Sequence, residues 1–297
     1  MNNFKLLNPK NLEDLFGELT NRGNSARLIA GGTDLLPSLK KEKVPVPEYI
    51  ISLNAIPGLS VIDKYGSMIN VGALVTHNEL TKSSIINEGA YVLAEACDQV
   101  GSWQIRNLAT VGGNLANASP AADSVPALLV LDADIHMLSA KGKRTIKINQ
   151  FFTGPGQTVL TEGEIIEKIS FASLEGNVGA AFVKLGKRKA VTLSIVSAAS
   201  YIKLSPDKAV FEEVRIAMGS VAPTPVRLGE AEKYLLGLQL EMIDKVSLHS
   251  AVLNDIKPIR DVRSTAEYRV AVAGVIVERA LNKAVMRAKE AAKGGRN

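Results

Sequence analysis

Two Gly-Gly pairs, each set between apolar runs, constrain this chain more than any other feature. The longer motif is Thr110-Val111-Gly112-Gly113-Asn114-Leu115-Ala116-Asn117-Ala118-Ser119-Pro120-Ala121-Ala122-Asp123, which places glycines, amides and one carboxylate between two helical patterns. The shorter is Ala30-Gly31-Gly32-Thr33-Asp34, preceded by Leu28-Ile29 and followed by Leu35-Leu36. Glycine lets backbone N–H groups approach an anion and turn through positive φ. Successive N–H groups facing the same way form a concave nest for phosphate oxygens. One Gly-Gly alone reads equally well as a plain tight turn. Two of them, each beside Thr and Asn or Asp, point to an extended ligand with two phosphates, which is a dinucleotide.

What is missing narrows the choice. A nicotinamide fingerprint needs G-x-G-x-x-G between strand and helix, with an acid about 20 residues on. Gly154-Pro155-Gly156 starts that pattern, but Val159 stands where the third glycine belongs, and the flanks read as a loop between short strands. There is no P-loop and no G-x-S-x-G nucleophile elbow. His77, His136 and His249 lie in unrelated segments without carboxylate or cysteine at metal-ligand spacing. His136 alternates with Ile135 and Met137 and is expected on the solvent side of a strand; His77, next to Thr76 near a candidate cofactor wall, is expected to cap a helix or lie at the surface, with contact to the cofactor as the alternative. Cys97 is the only cysteine, so the chain has no internal disulfide and cannot hold an iron–sulfur cluster, which takes about four thiolates. A buried thiol is expected there. The net charge of +5 is spread thinly and aromatics make up 5%, which leaves no base-stacking surface for nucleic acid. No stretch approaches about 18 unbroken apolar residues and the first ten lack a signal core, so a cytoplasmic protein with no membrane insertion is expected.

Local patterns order the chain. Asn11 and Asp14 mark a helix start, with Leu12, Leu15, Phe16 and Leu19 on one face. Arg27 to Ala30 and Tyr49 to Leu53 read as strands, and Leu59 to Asp63 with Met68 to Val71 as a hairpin. Helices are expected near 76–80, 91–100 and 124–130, the last with Asp123 bonding the free N–H groups as its N-cap. A hairpin over 133–148 turns at Lys141-Gly142-Lys143, and Ile165 to Phe171 is a strand. Beyond Gly176 come strands over 191–204 and 214–218, then helices, with Ser264-x-x-Glu267 as a capping box opening the last.

Taken in order, several motifs resemble the FAD-binding medium subunit of the molybdenum hydroxylases, the group of xanthine dehydrogenase, aerobic carbon monoxide dehydrogenase and nicotinate dehydrogenase. They are Ala30 to Leu35, Gln104-Ile105-Arg106-Asn107, the long second motif, Phe151-Phe152-x-Gly154-Pro155, Glu164-Ile165-Ile166, Lys184-x-x-x-Arg188 and Ser264 to Arg269. The resemblance implies an α+β chain with a PCMH-type (vanillyl-alcohol-oxidase-like) FAD-binding fold. Its FAD-binding domain spans 1–175 in two α/β lobes, 1–53 and 54–175. A C-terminal flavoprotein domain with a small antiparallel sheet and helices spans 176–290, followed by a tail, 291–297. The benzoyl-coenzyme-A reductase branch carries additional cysteines and is excluded by the single Cys97.

The same resemblance implies the chemistry. The cofactor is FAD, with Ile29, Ala30, Gly31, Gly32, Thr33, Asp34 and Leu35 along its pyrophosphate. Ala109, Thr110, Gly112, Gly113 and Asn114 lie against phosphates and ribityl chain, Asp123 accepts from a sugar or ribityl hydroxyl, Ile166 packs near adenine or ring, and Lys184 approaches the isoalloxazine. No catalytic residue and no metal ligand is expected. On residue chemistry alone Asp34 equally closes an Asx turn, Asp123 caps a helix, Ile166 is strand core and Lys184 belongs to a solvated basic face. The implied partners are a molybdenum–pterin large subunit and a 2Fe-2S small subunit, in a heterotrimer or its dimer. The implied role is an oxidoreductase subunit passing electrons from those clusters through FAD to NAD or another acceptor. Two rival readings stay open: a stand-alone FAD-dependent oxidase or reductase, and an assembly subunit that has lost FAD. Ala190-Val191-Thr192 stand where many relatives carry an acid, which leaves the final acceptor open, and the substrate belongs to a subunit this chain does not contain.

Overall fold

The computed structural model describes residues 4–188 and 193–291. The departure at Ala190-Val191-Thr192 and most of the expected tail lie outside the described residues. The chain opens with β1 (Lys5–Leu7), α1 (Leu12–Arg22), β2 (Ala26–Ile29), α2 (Leu35–Lys40) and β3 (Tyr49–Ser52). As expected, the Asn11 side chain accepts from the Asp14 amide at 2.8 Å and caps α1. The strands pair in parallel, in the order β1-β3-β2. Leu15 of α1 packs with Ile51, Leu53 and Ile56 beneath this sheet. The first Gly-Gly pair thus falls at the carboxyl end of β2, where open α/β sheets hold their ligands.

A second sheet is antiparallel, in the order β4-β5-β10-β6-β7. Its early strands are β4 (Ile62–Tyr65) and β5 (Met68–Gly72). Helices α3 (His77–Lys82), α4 (Ser84–Gly89), α5 (Tyr91–Asp98), α6 (Trp103–Arg106), α7 (Val111–Asn117) and α8 (Ser124–Val130) follow. The layer closes with β6 (Asp134–Ser139), β7 (Gly142–Lys147), the short β8 (Phe152–Gly154) and β9 (Gln157–Thr158), and β10 (Ile165–Ala172). The β6–β7 turn is Ala140-Lys141, earlier than expected, because Ser139 pairs with Gly142 across it. Every residue of α8 is buried, as befits a helix without a charged side chain that packs against α5, α7 and the strands that follow in the third sheet.

The third sheet runs β11 (Val178–Gly186), β12 (Ser194–Leu204), β13 (Phe211–Gly219) and β14 (Val226–Arg227), antiparallel in sequence order. It is covered by α9 (Gly229–Leu235), α10 (Lys245–Asn254) and the long α11 (Ala266–Ala291). The hydroxyl at the start of α11 that accepts from the chain is Thr265, from the Tyr268 amide at 3.2 Å, not Ser264. Among the described residues no helix is long and apolar enough to cross a membrane.

Strand β11 has no counterpart in the sequence expectations, and α5 holds its outer edge. The Ala180 amide donates to the Tyr91 hydroxyl at 3.1 Å, the Phe182 amide to Glu95 Oε2 at 3.1 Å, and Lys184 Nζ to the Gln99 carbonyl at 2.7 Å. Four residues of helix rise about 6 Å and two residues of strand about 6.7 Å. Positions 91, 95 and 99 therefore stay in step with 180, 182 and 184. Glu95 also binds Lys283 at 2.8 Å and Arg287 of α11. Burial opposes its charge, but these cations and the Phe182 amide prevail and lower its pKa.

Candidate functional site

A cleft of about 920 Å³ is walled by the first glycine turn, the second glycine motif and the loop entering β10. Ile29, Ala30, Gly31, Gly32, Thr33, Asp34 and Leu35 line it, as do Ala109, Thr110, Gly112, Gly113, Asn114, Asp123 and Ile166. Of the residues expected at the site, Lys184 alone stands behind the lining.

The two glycine motifs meet. A Cβ on Gly31 would overlap the Leu108 carbonyl, so this glycine lets the turn after β2 rest on the segment entering the second motif. Gly32 takes φ +70°, a conformation other residues rarely hold. Among the described residues, the amides of Gly31 through Leu35 find no acceptor, while the Gly32 and Asp34 carbonyls start α2 by accepting from Leu36 and Ser38. Asp34 makes no capping bond, and desolvation at the cleft raises its carboxyl pKa. This turn is a row of N–H donors, partly buried apart from exposed Asp34, that no acceptor among the described residues takes up.

The second motif differs. It is not a turn but the first part of α7, capped by Thr110, whose Oγ1 accepts from the Gly113 amide at 3.0 Å. The Val111 amide donates to the Val75 carbonyl at 3.0 Å, Gly112 to Ala73 at 2.8 Å, and Asn114 to Thr110 at 2.9 Å. A Cβ on Gly112 would stand 2.6 Å from the Ala73 carbonyl oxygen, so that glycine serves the approach of α7 to the end of β5. Asn114 Oδ1 accepts from Ser124 Oγ at 2.7 Å. The motif's amides from Val111 to Asn114 are spent inside the fold.

Asp123 directly precedes α8 yet forms no side-chain cap. Its carboxylate is drawn away: Oδ2 accepts from Lys184 Nζ at 2.6 Å and Oδ1 from Ser194 Oγ. The Asp123 and Lys184 side chains are each 6% exposed, so Lys184 is not on a solvated basic face. Burial raises the Asp123 pKa, against the opposing pull of Lys184, Ser194 and Arg263. Each carboxylate oxygen keeps further acceptor capacity.

Three parts of the wall went unassigned in the sequence. His77, expected at the surface or as a cap, is 0% exposed and lines the cleft. Thr76 caps α3 in a full capping box with Glu79. The helix expected near 76–80 already put His77 in its first turn, and the Thr-x-x-Glu spacing of Thr76 and Glu79 fixes where that helix starts. Gly101, with φ +50°, ends the α5 connection at the cleft. The loop 160–165 is clamped by Arg144, which binds Glu164 at 2.6 Å and donates to the Val159 carbonyl at 2.7 Å. The Arg144 bond, with the Thr161 amide, holds the Glu164 pKa down at about 2 despite some burial. His136, expected to face solvent, is half-buried and bonded to Ser170 at 2.7 Å and Thr145 at 3.0 Å. Among the described residues no three His, Cys, Asp or Glu side chains cluster as a metal site.

The donor set fits a dinucleotide: amides without an acceptor among the described residues for the pyrophosphate, a cleft of about 920 Å³ for the body, and a buried carboxylate for hydroxyls. Comparison with known proteins agrees. Residues 2–172 match the family model of the FAD binding domain in molybdopterin dehydrogenase, and 181–284 that of the CO dehydrogenase flavoprotein C-terminal domain. The carbon monoxide dehydrogenase medium chain of Hydrogenophaga pseudoflava is 32% identical over 93% of this chain and 95% of its own length. The xanthine dehydrogenase FAD-binding subunit of Escherichia coli O157:H7 is 32% identical, covering 91% of each. The solved carbon monoxide dehydrogenase from Hydrogenophaga pseudoflava that lacks the Mo-pyranopterin moiety superposes with a TM-score of 0.92 over 96% of this chain and 98% of that one.

Proposed function

This chain belongs to the family of FAD-binding subunits of molybdopterin dehydrogenases, and we propose that it is the flavin-carrying electron-transfer subunit of a multisubunit molybdenum hydroxylase. The observation that carries the reading is that the amides from Gly31 to Leu35, in residues that line the cleft, find no acceptor among the described residues. Electron exchange between 2Fe-2S clusters on a small partner subunit and NAD or another acceptor is the chemistry FAD supplies when bound. A molybdenum–pterin large subunit would receive the substrate. The chain's own make-up supports this dependence on partners: one cysteine, and no metal cluster among the described residues.

The residues divide the work of holding the cofactor. Gly31 through Leu35 offer N–H donors to the pyrophosphate, a preformed anion site that needs no rearrangement. Thr110, Gly112, Gly113 and Asn114 act as a rigid wall for the ribityl region. Asp123 offers its remaining lone pairs to a hydroxyl, with Lys184 keeping its charge neutralised. Ile166 and Ile29 supply apolar surface. Lys184 stands behind Asp123 and acts on the cofactor only through it, which makes it a positioning residue. A cytoplasmic setting is part of the proposal.

The test is the visible spectrum of the purified chain after adding FAD and desalting. A retained flavin band near ~450 nm that dithionite bleaches supports the reading. If no flavin is kept, even after co-expression with large and small subunits, the chain is an assembly subunit and the proposal fails. Copurification of those subunits separates the electron-transfer role from a stand-alone oxidase.

A further inference from the structure

We propose that His77 is a ligand-binding residue of this cleft, with its ring nitrogen Nε2 hydrogen-bonded to an acceptor oxygen of the bound dinucleotide. The inference rests on the flavin reading above and adds a residue to it. His77 opens α3, and its amide donates to the Ala109 carbonyl at 3.0 Å, in the bridge that pairs Thr76 with Thr110. Its backbone is thereby tied to the residues that enter the second glycine motif. His77 is fully buried and is one of the residues lining the cleft. Nδ1 lies 3.3 Å from Cys97 Sγ, whereas Nε2 has no partner among the described residues. A buried nitrogen left unpaired costs about 1–3 kcal/mol, and a native structure tolerates one where something outside the chain completes it.

The surrounding groups decide what His77 offers. Burial, reinforced by Arg106, lowers its pKa to about 4, so the ring is neutral at ordinary pH. Burial also raises the Cys97 pKa, helped by Asp123 and Asp98, which keeps the thiol protonated. Assigning Nδ1 as the acceptor of that S–H leaves the ring proton on Nε2. His77 then presents a neutral N–H donor, matched by a phosphate, hydroxyl or carbonyl oxygen of the dinucleotide.

Two substitutions of similar polarity separate the ring nitrogens. His77→Asn keeps a polar group near Nδ1 and loses the one at Nε2; His77→Gln keeps an N–H near Nε2. Both full-length chains and the wild type are loaded with FAD, flavin release on dilution is followed by fluorescence, and the FAD-free chains are melted in parallel. The expected result is about tenfold faster release from His77→Asn and near wild-type release from His77→Gln, at matched melting temperatures without FAD. Equal release from both variants, or faster release that only follows a lower melting temperature, overturns the assignment. A wild-type chain that keeps no FAD refutes the flavin reading itself, and this inference with it, which separates the two failures.

Discussion

The two Gly-Gly motifs look alike in sequence and do opposite things with their backbone. After β2, the amides of Gly31 through Leu35 point to no acceptor among the described residues. At the start of α7, the amides of Val111, Gly112, Gly113 and Asn114 are consumed by Val75, Ala73 and Thr110. The difference follows from what comes next. The first pair leaves a parallel strand and turns freely into α2. The second is folded onto the end of β5 and wound at once into a helix. On the proposed reading one motif is the binding surface and the other is the packing that keeps it in place, because Leu108 just ahead of the second supports Gly31.

That contrast can be broken by substitution, beginning where the largest effect is expected. Gly31→Ala drives a methyl into a backbone carbonyl and can be accommodated only by parting the two motifs. FAD release should quicken by about 100-fold or more, and the FAD-free chain should lose roughly 3 kcal/mol in urea titration, at the upper end for overpacking. The second side carries a proton-linked signature through His77. Its pKa falls from 6.5 to about 4 in the fold, so the unfolded chain binds the extra proton between those values. Its contribution is therefore whole above pH 6.5 and falls by roughly 3 kcal/mol on descending towards pH 4. Urea titrations of the FAD-free chain across that range should show this loss, and His77→Asn should remove most of it.

Gly112→Ala meets Ala73 at backbone distance and should lower the stability of the FAD-free chain by about 2 kcal/mol. FAD affinity should follow that loss and not exceed it; a selective loss of FAD with stability intact would give the second motif a direct role and erase the contrast. The smallest effect is expected for Thr110→Val, which removes the α7 cap and should cost about 1 kcal/mol in the same titration.

Local chemistry was legible in the sequence. Asn11 and Asp14 announced α1, the expected strand Arg27 to Ala30 announced β2, which starts and ends one residue earlier, and the resemblance named residues that nearly all come to line one cleft. Features built by distant segments were not. Strand β11 contains Gly179-Ala180-Ala181, which carries little strand signal, and its place is fixed by Tyr91, Glu95 and Gln99 from a helix far away in sequence. That alignment brings Lys184 onto Asp123 and takes the carboxylate from the cap position it was expected to fill. The burial of His77 was not legible for the same reason: its ring meets Cys97 of α5, twenty residues on. The helical nature of the second motif was hidden by its paired glycines, which are poor helix formers, while Val111 and Leu115, spaced one turn apart and both buried, hold it in place.

Amide hydrogen exchange of the full-length chain, with and without FAD, tests the central claim most directly. Without FAD, residues 31–35 should exchange quickly and 111–114 slowly. Adding FAD should protect 31–35 strongly and change 111–114 little. Fast exchange at 111–114 that FAD suppresses, with 31–35 unaltered, would reverse the roles of the two motifs and contradict the account.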